Sequence, residues 1–238
     1  MTGLFSLPPR DDGPDSTRAF TPMQEATALV ICAAMLTVVH YHGMVQGLPQ
    51  RWVLFGWFGV NVLCLLVVPC ILIKFVWRRD LSEFGLQLGN WKWWGRIALA
   101  FIAVMVPVVA LASRWPQFQS YYPRYPWARL EPISFVTSEL GWLAYFFAWE
   151  FFFRGFLLST LAPRLGTVAI FVQMIPFVMT HFPKPEAEAA SAIVAGIALG
   201  YMAYYGRSFV GTWLLHWLVA AFMDAMVVLW PLHGQMPG

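Results

Sequence analysis

The sequence predicts an all-α membrane protein, a polytopic bundle of about seven or eight transmembrane helices. Three observations predict it. Only 11% of the 238 residues are charged, whereas a soluble domain carries about 25%. Hydrophobic residues make up 59% and aromatics 17%, with a mean hydropathy of +0.62. The apolar residues form continuous runs rather than an alternating pattern, which disfavours a membrane β-barrel. The small net charge of +3, with no basic stripe, excludes a nucleic-acid-binding surface.

The elements follow in order. Residues 1–22 are polar and hold Pro8, Pro9, Asp11, Asp12, Pro14 and Asp15, a composition that predicts a flexible tail. They lack the charged, apolar and small-residue order of a cleaved signal peptide, so the first span serves as both targeting signal and anchor. Seven spans are expected: Met23–His42, Val53–Trp77, Ile97–Ser113, Ile133–Leu161, Thr167–Phe182, Ala187–Tyr205 and Ser208–Trp230. The fifth is short. The fourth is long and has a potential break at Gly141. Trp91, Trp93 and Trp94, flanked by Lys92 and Arg96, predict an interfacial segment at headgroup level. The Tyr- and Pro-rich stretch from Arg114 to Pro132 is expected along the membrane surface.

Counting Lys and Arg orients the chain. With the N-terminus inside, nine fall inside (Arg10, Arg18, Lys74, Arg78, Arg79, Lys92, Arg96, Arg164, Arg207). Five fall outside (Arg51, Arg114, Arg124, Arg129, Lys184). The expected orientation therefore has a cytoplasmic N-terminus, and the expected location is a prokaryotic cell membrane. Cys32, Cys64 and Cys70 all lie in apolar runs and read as small core residues rather than a disulfide framework. Ala192, Gly196 and Gly200 share a small-xxx-small spacing that lets helices approach closely.

Ionisable groups inside spans cost about 2.5–3.5 kcal/mol each on insertion scales, so their positions carry information. They cluster in the second half: Glu139, Glu150, Arg154, His181, His216 and Asp224. Glu150 and Arg154 stand one helical turn apart with the acid first, the favoured order. They form either a neutralising ion pair or a carboxylate base held ionised by a guanidinium. His181 closes the fifth span and His216 lies inside the seventh. Two imidazoles and a carboxylate can ligate zinc or hold a catalytic water. Asp224 is about 12 Å along the helix from His216, too far for a direct bond. His40, His42 and His233 read as interfacial. There is no HExxH, GxSxG, Walker A or GxGxxG, and no second intramembrane Asp for an aspartyl pair.

The run Trp149-Glu150-Phe151-Phe152-Phe153-Arg154-Gly155-Phe156-Leu157 resembles the EExxxRGF motif of the CPBP intramembrane proteases, the CAAX-processing and bacteriocin-processing (Abi) family. Phe177–His181 resembles that family's FxxxH, HFPKPEAE its continuation, and His216 the histidine of its HxxxN/D motif. The motifs cover roughly Thr137–Val228, with weaker similarity back to Asp80. The resemblance implies an all-α bundle with a catalytic core over residues 133–230, preceded by N-terminal helices and interfacial segments over 23–132 and followed by a short tail, 231–238. It also implies peptide-bond hydrolysis near the membrane surface: glutamate and histidine activate water, and another histidine with Asn or Asp stabilises the oxyanion. By that resemblance Glu150 is the base or water ligand, His181 its partner, His216 an oxyanion donor or ligand, and Arg154 the orienting cation. Asp224 substitutes for the missing Asn, and Lys184 and Glu188 shape the entrance. A zinc ion on Glu150, His181 and His216, or no metal at all, is compatible with the pattern. Two positions depart from it: Trp149 stands where the first Glu is usual, and Ala220 where the Asn or Asp is usual.

The expected activity is therefore an intramembrane endopeptidase acting on a membrane-anchored or lipid-modified substrate, in contact with membrane lipids and no nucleic acid. The alternative is a non-catalytic relative, a peptide-binding immunity or scaffold protein, which Trp149 and Ala220 favour. A small ion-coupled transporter using Glu150 and Asp224 is a third reading, against which the missing inverted repeat argues.

Overall fold

The computed structural model describes residues 19–230. The expected polar tail as far as residue 18, the interfacial His233 and the expected tail over 231–238 lie outside the described residues. Among the described residues the chain is helical, with no strand. The helices are α1 (Pro22–His42), α2 (Gln50–Val76), α3 (Trp91–Ala112), α4 (Pro116–Tyr121), α5 (Pro132–Glu150), α6 (Leu158–Leu165), α7 (Val168–Met179), α8 (Glu186–Gly206) and α9 (Val210–Leu229). Helices α1, α2, α3, α8 and α9 are each long and apolar enough to cross a membrane. The outward side chains are apolar, as lipid requires: Leu99, Val104 and Leu111 of α3 are more than half exposed.

All seven apolar runs form helices, with two differences in detail. The fourth run does not break at Gly141. A β-carbon there would stand 2.4 Å from the Phe58 ring, so this glycine serves close packing of α5 on α2. The helix instead widens further on, into a π turn over Phe151–Leu157, and continues as α6. The third run starts early: Trp91, Trp93 and Trp94 are the first turn of α3. The chain before it is pinned to the end of α8, where Asn90 bonds the carbonyls of Tyr205 and Gly206.

The helix ends sort into two faces. At one, Phe20 packs on Trp77 and Phe84, Arg164 pairs with Glu25, and Gln87 bonds the carbonyl of Arg207. At the other, Arg51 pairs with Glu131, Phe55 packs on Tyr125, and Gln119 bonds the carbonyl of Trp230. The stretch from Arg114 to Pro132 lies at this second face. Phe118, Tyr125 and Ala128 are buried, and Arg129 donates to the carbonyls of Gln119 and Tyr122, which ties the segment into a cap over this second face.

Helices α7 and α8 pack closely. Gln173 Nε2 reaches the Gly196 carbonyl at 3.0 Å. A β-carbon on Gly200 would meet Ile170 Cγ2 at 2.7 Å and Gln173 Nε2 at 2.8 Å, whereas one on Gly196 would meet Met174 Cγ at 2.8 Å. Methionine yields; a β-branched isoleucine and a bonded amide do not. Gly200→Ala should therefore lower the unfolding midpoint in detergent by the equivalent of about 1–3 kcal/mol, with Gly196→Ala clearly milder. Equal midpoints for the two variants would show that the pair does not pack as described.

Candidate active site

The π turn at the end of α5 sets the site. Gly155 is required there, since a β-carbon would lie 2.7 Å from the Phe84 carbonyl. That contact seats the turn against the chain before α3 and directs Arg154 inward. Arg154 and Glu150 are both fully buried side chains, with Arg154 Nη1 3.3 Å from Glu150 Oε1. The guanidinium carbon lies 4.0 Å from the centre of the Phe177 ring, so the cation rests on an aromatic face of α7. None of its nitrogens has a hydrogen-bond acceptor among the protein atoms. Its charge is met by Glu150 and by Phe177.

Glu150 is also held by α9. His216 Nδ1 lies 2.7 Å from Glu150 Oε1. A carboxylate only accepts, so Nδ1 carries the proton. In the neutral ring Nε2 then has a bare lone pair, and His216 lines the cavity. Two further bonds fix the α5–α9 seam: Trp213 Nε1 to the Leu143 carbonyl at 2.8 Å and Trp217 Nε1 to the Glu139 carbonyl at 3.2 Å.

His181 sits in the turn after α7. That helix has only 12 residues, about 18 Å of rise, so the chain turns back before it would cross a bilayer core of about 30 Å. The side chain is buried, and its Nδ1 donates to the Phe177 carbonyl at 2.8 Å. Its Nε2 is therefore bare as well. Phe177 lies near both imidazoles, its ring centre 4.6 Å from that of His181 and 6.1 Å from that of His216. The Trp149 ring is 6.1 Å from His181, and its buried indole N–H has no acceptor.

These side chains border a cavity of about 950 Å3. His181, His216, Trp149 and Ala220 line it; Glu150 and Arg154 stand behind its wall. Asp224 also lines it but is not brought to His216. It faces Glu139 of α5, with Arg129 and Glu188 close enough to act on its charge. At the outer end Lys184 pairs with Glu188 at 2.7 Å, and the Tyr122 hydroxyl donates to both Glu188 oxygens at 2.8 and 2.7 Å. Burial, with the Glu188 carboxylate beside it, pushes the Tyr122 hydroxyl well above its ordinary range. It stays protonated and a donor. Tyr122, Arg129 and Phe177 were not singled out by sequence. The only signal was the Tyr-rich loop and the FxxxH spacing.

The zinc ligand set expected from Glu150, His181 and His216 does not fit this arrangement. Among the described residues no three His, Cys, Asp or Glu side chains gather for a metal ion. Glu150 is turned toward His216 and Arg154.

The buried pair gives a stability test. Arg154→Gln leaves Glu150 charged in a low-dielectric interior and should cost about 3–5 kcal/mol. The double variant Glu150→Gln with Arg154→Gln removes both charges and should recover most of that loss. Thermal unfolding of the detergent-extracted protein measures both. A single variant as stable as wild type would show that the pair is incidental.

No curated protein and no solved structure matches the chain. Residues 131–222 match the family model described as Type II CAAX prenyl endopeptidase Rce1-like. The matched stretch carries Glu150, Arg154, His181 and His216, and over it the chain is similar to the CAAX protease family that its motifs resemble.

Proposed function

We propose that the protein is an intramembrane endopeptidase that hydrolyses a peptide bond of a membrane-anchored or lipid-modified substrate, with His216 as general base. The observation that carries this reading is the Glu150–His216 bond at the cavity wall. A carboxylate on Nδ1 fixes the tautomer, aims Nε2 at the cavity and stabilises the imidazolium once it forms. This exchanges the roles expected from the resemblance. Glu150 becomes a positioning residue and His216 the proton acceptor, because Glu150 does not reach the cavity and a neutral His216 has no proton to give an oxyanion.

In this reading a water oxygen attacks the peptide carbonyl carbon while one of its protons passes to His216 Nε2. The bare Nε2 of His181 accepts the water's other hydrogen and orients it. The indole N–H of Trp149 is the donor for the oxyanion, in a wall that excludes water. The C–N bond then breaks as His216 returns the proton to the leaving amine. Arg154 holds Glu150 ionised, and Lys184, Glu188 and Tyr122 form the polar entrance. Asp224 takes no part at the reacting atoms.

A second reading, peptide binding without hydrolysis, is favoured by Trp149 and Ala220. An indole and a methyl line the cavity where the resemblance places a water-activating Glu and an Asn. Turnover of a quenched peptide bearing a lipidated cysteine, in reconstituted liposomes, separates the two. Hydrolysis should be lost in His216→Gln and fall about 10²–10⁴-fold in Glu150→Gln. Trp149→Phe, which keeps the ring and removes the donor, should cost about 10²–10³-fold. Turnover unchanged by His216→Gln defeats the base assignment. Peptide binding with no wild-type turnover moves the function to the second reading.

A further inference from the structure

A second concavity lies on the outer side of the α3–α9 contact and shares Leu215 with the lining of the cavity. Its volume is about 680 Å3, within the range of about 300–1,000 Å3 typical of small-molecule sites. Its walls are apolar side chains, Leu99 and Ile102 of α3 facing Leu214 and Leu218 of α9. Its floor exists because Gly211 admits Trp94: a β-carbon there would lie 2.5 Å from the indole. Lys92 and Arg96 close one end.

On this face of the bundle Lys92 and Arg96, like Arg78 and Arg207, stand outside the ion pairs of the described residues. Lys74, Arg79 and Arg164 are paired with Asp80, Glu83 and Glu25. Lys92 and Arg96 meet no carboxylate among the described residues. Arg96 spends only its Nε, on the Lys92 carbonyl at 3.0 Å, which leaves both terminal amines free. Two like charges one turn apart repel, and the contact that meets either charge is the Trp91 ring, 5.8 Å from Lys92 Nζ. Trp91 beside them sets the depth: it is half exposed at the start of a membrane-spanning helix, the position of an interfacial belt. From Lys92 to Ile102 is about 15 Å of helix rise, one half of a hydrocarbon core of about 30 Å. The concavity therefore runs from headgroup level to mid-membrane, cationic at the top and apolar below.

We infer that the α3–α9 groove is a binding site for one anionic phospholipid, its phosphate on Lys92 and Arg96 and an acyl chain lying along Leu99, Ile102, Leu214 and Leu218. The charge complementarity selects an anionic headgroup over a zwitterionic one, and the leaflet-deep apolar wall selects a lipid over a free phosphate. This site is separate from the catalytic proposal, and its occupancy does not require hydrolysis.

The test is native mass spectrometry of the purified, delipidated full-length protein, titrated with phosphatidylglycerol or phosphatidylcholine of identical chains. Wild type should retain phosphatidylglycerol preferentially. Each of Lys92→Gln and Arg96→Gln should weaken that retention about five-fold, with phosphatidylcholine unaffected. Gly95→Leu provides a variant that does not disturb the charges: a β-carbon at Gly95 meets nothing within 4 Å, so the leucine projects into the groove and should displace the acyl chain while the protein folds normally. Glycerol phosphate alone should not compete. Equal retention of the two lipids by wild type overturns the inference. So does phosphatidylglycerol retention unchanged in Gly95→Leu, or full displacement by glycerol phosphate.

Discussion

The structure is organised by one constraint: a carboxylate buried inside a membrane-spanning bundle must be neutralised by groups already in the protein. Glu150 meets it with two partners from different helices, Arg154 one turn on and His216 across the α5–α9 seam. Much of the surrounding geometry follows. The π turn over Phe151–Leu157 lets Arg154 reach under Phe177, and Gly155 lets that turn press on the Phe84 carbonyl. The Trp213 and Trp217 bonds to α5 carbonyls hold the two helices in the register that the carboxylate–imidazole bond requires.

The same constraint is handled differently at Glu139 and Asp224. These two acids face each other across the seam, and three of their four carboxyl oxygens have no hydrogen-bond partner within the protein. Arg129 is close enough to offset charge there, yet its own hydrogen bonds go to loop carbonyls. The pair is set beside, rather than within, the histidine site. The cavity thus runs from an imidazole-lined end to an acid- and lysine-lined mouth.

Much of this was legible in the sequence, and the reason is physical. In lipid every backbone group must be bonded internally, so an apolar run becomes a helix almost regardless of its neighbours. The seven runs matched the helices for that reason. A polar residue in such a run must find a partner, which made Glu150, Arg154 and His216 visible. What the sequence did not disclose depends on contacts between elements. Gly141 looked like a weak point because the Phe58 ring that fills its groove belongs to another helix. The Tyr-rich loop was read as a surface strip, and the bonds by which Arg129 ties it inward are tertiary. His181 was read as closing a fifth span, whereas the 12-residue helix before it ends short of a full crossing. Glu150 was expected in the cavity because spacing gives a helix face, not which of two faces is open.

Trp149 is the residue at which fold and chemistry part. In the resemblance its position carries a second carboxylate; here it carries a ring packed among Tyr145, Phe153 and Phe177. A glutamate beside Glu150 would add a negative charge for which Arg154, already engaged, is not a sufficient partner. The indole removes that electrostatic load and leaves one carboxylate shared between a guanidinium and an imidazole. Glu150 and Arg154 then cancel, and in the proposed reaction the His216 imidazolium forms together with the substrate oxyanion, its Nδ1 2.7 Å from the carboxylate that stabilises it. A site that has lost its carboxylate at position 149 can on these terms still move a proton, provided the base is the histidine that Glu150 holds in place.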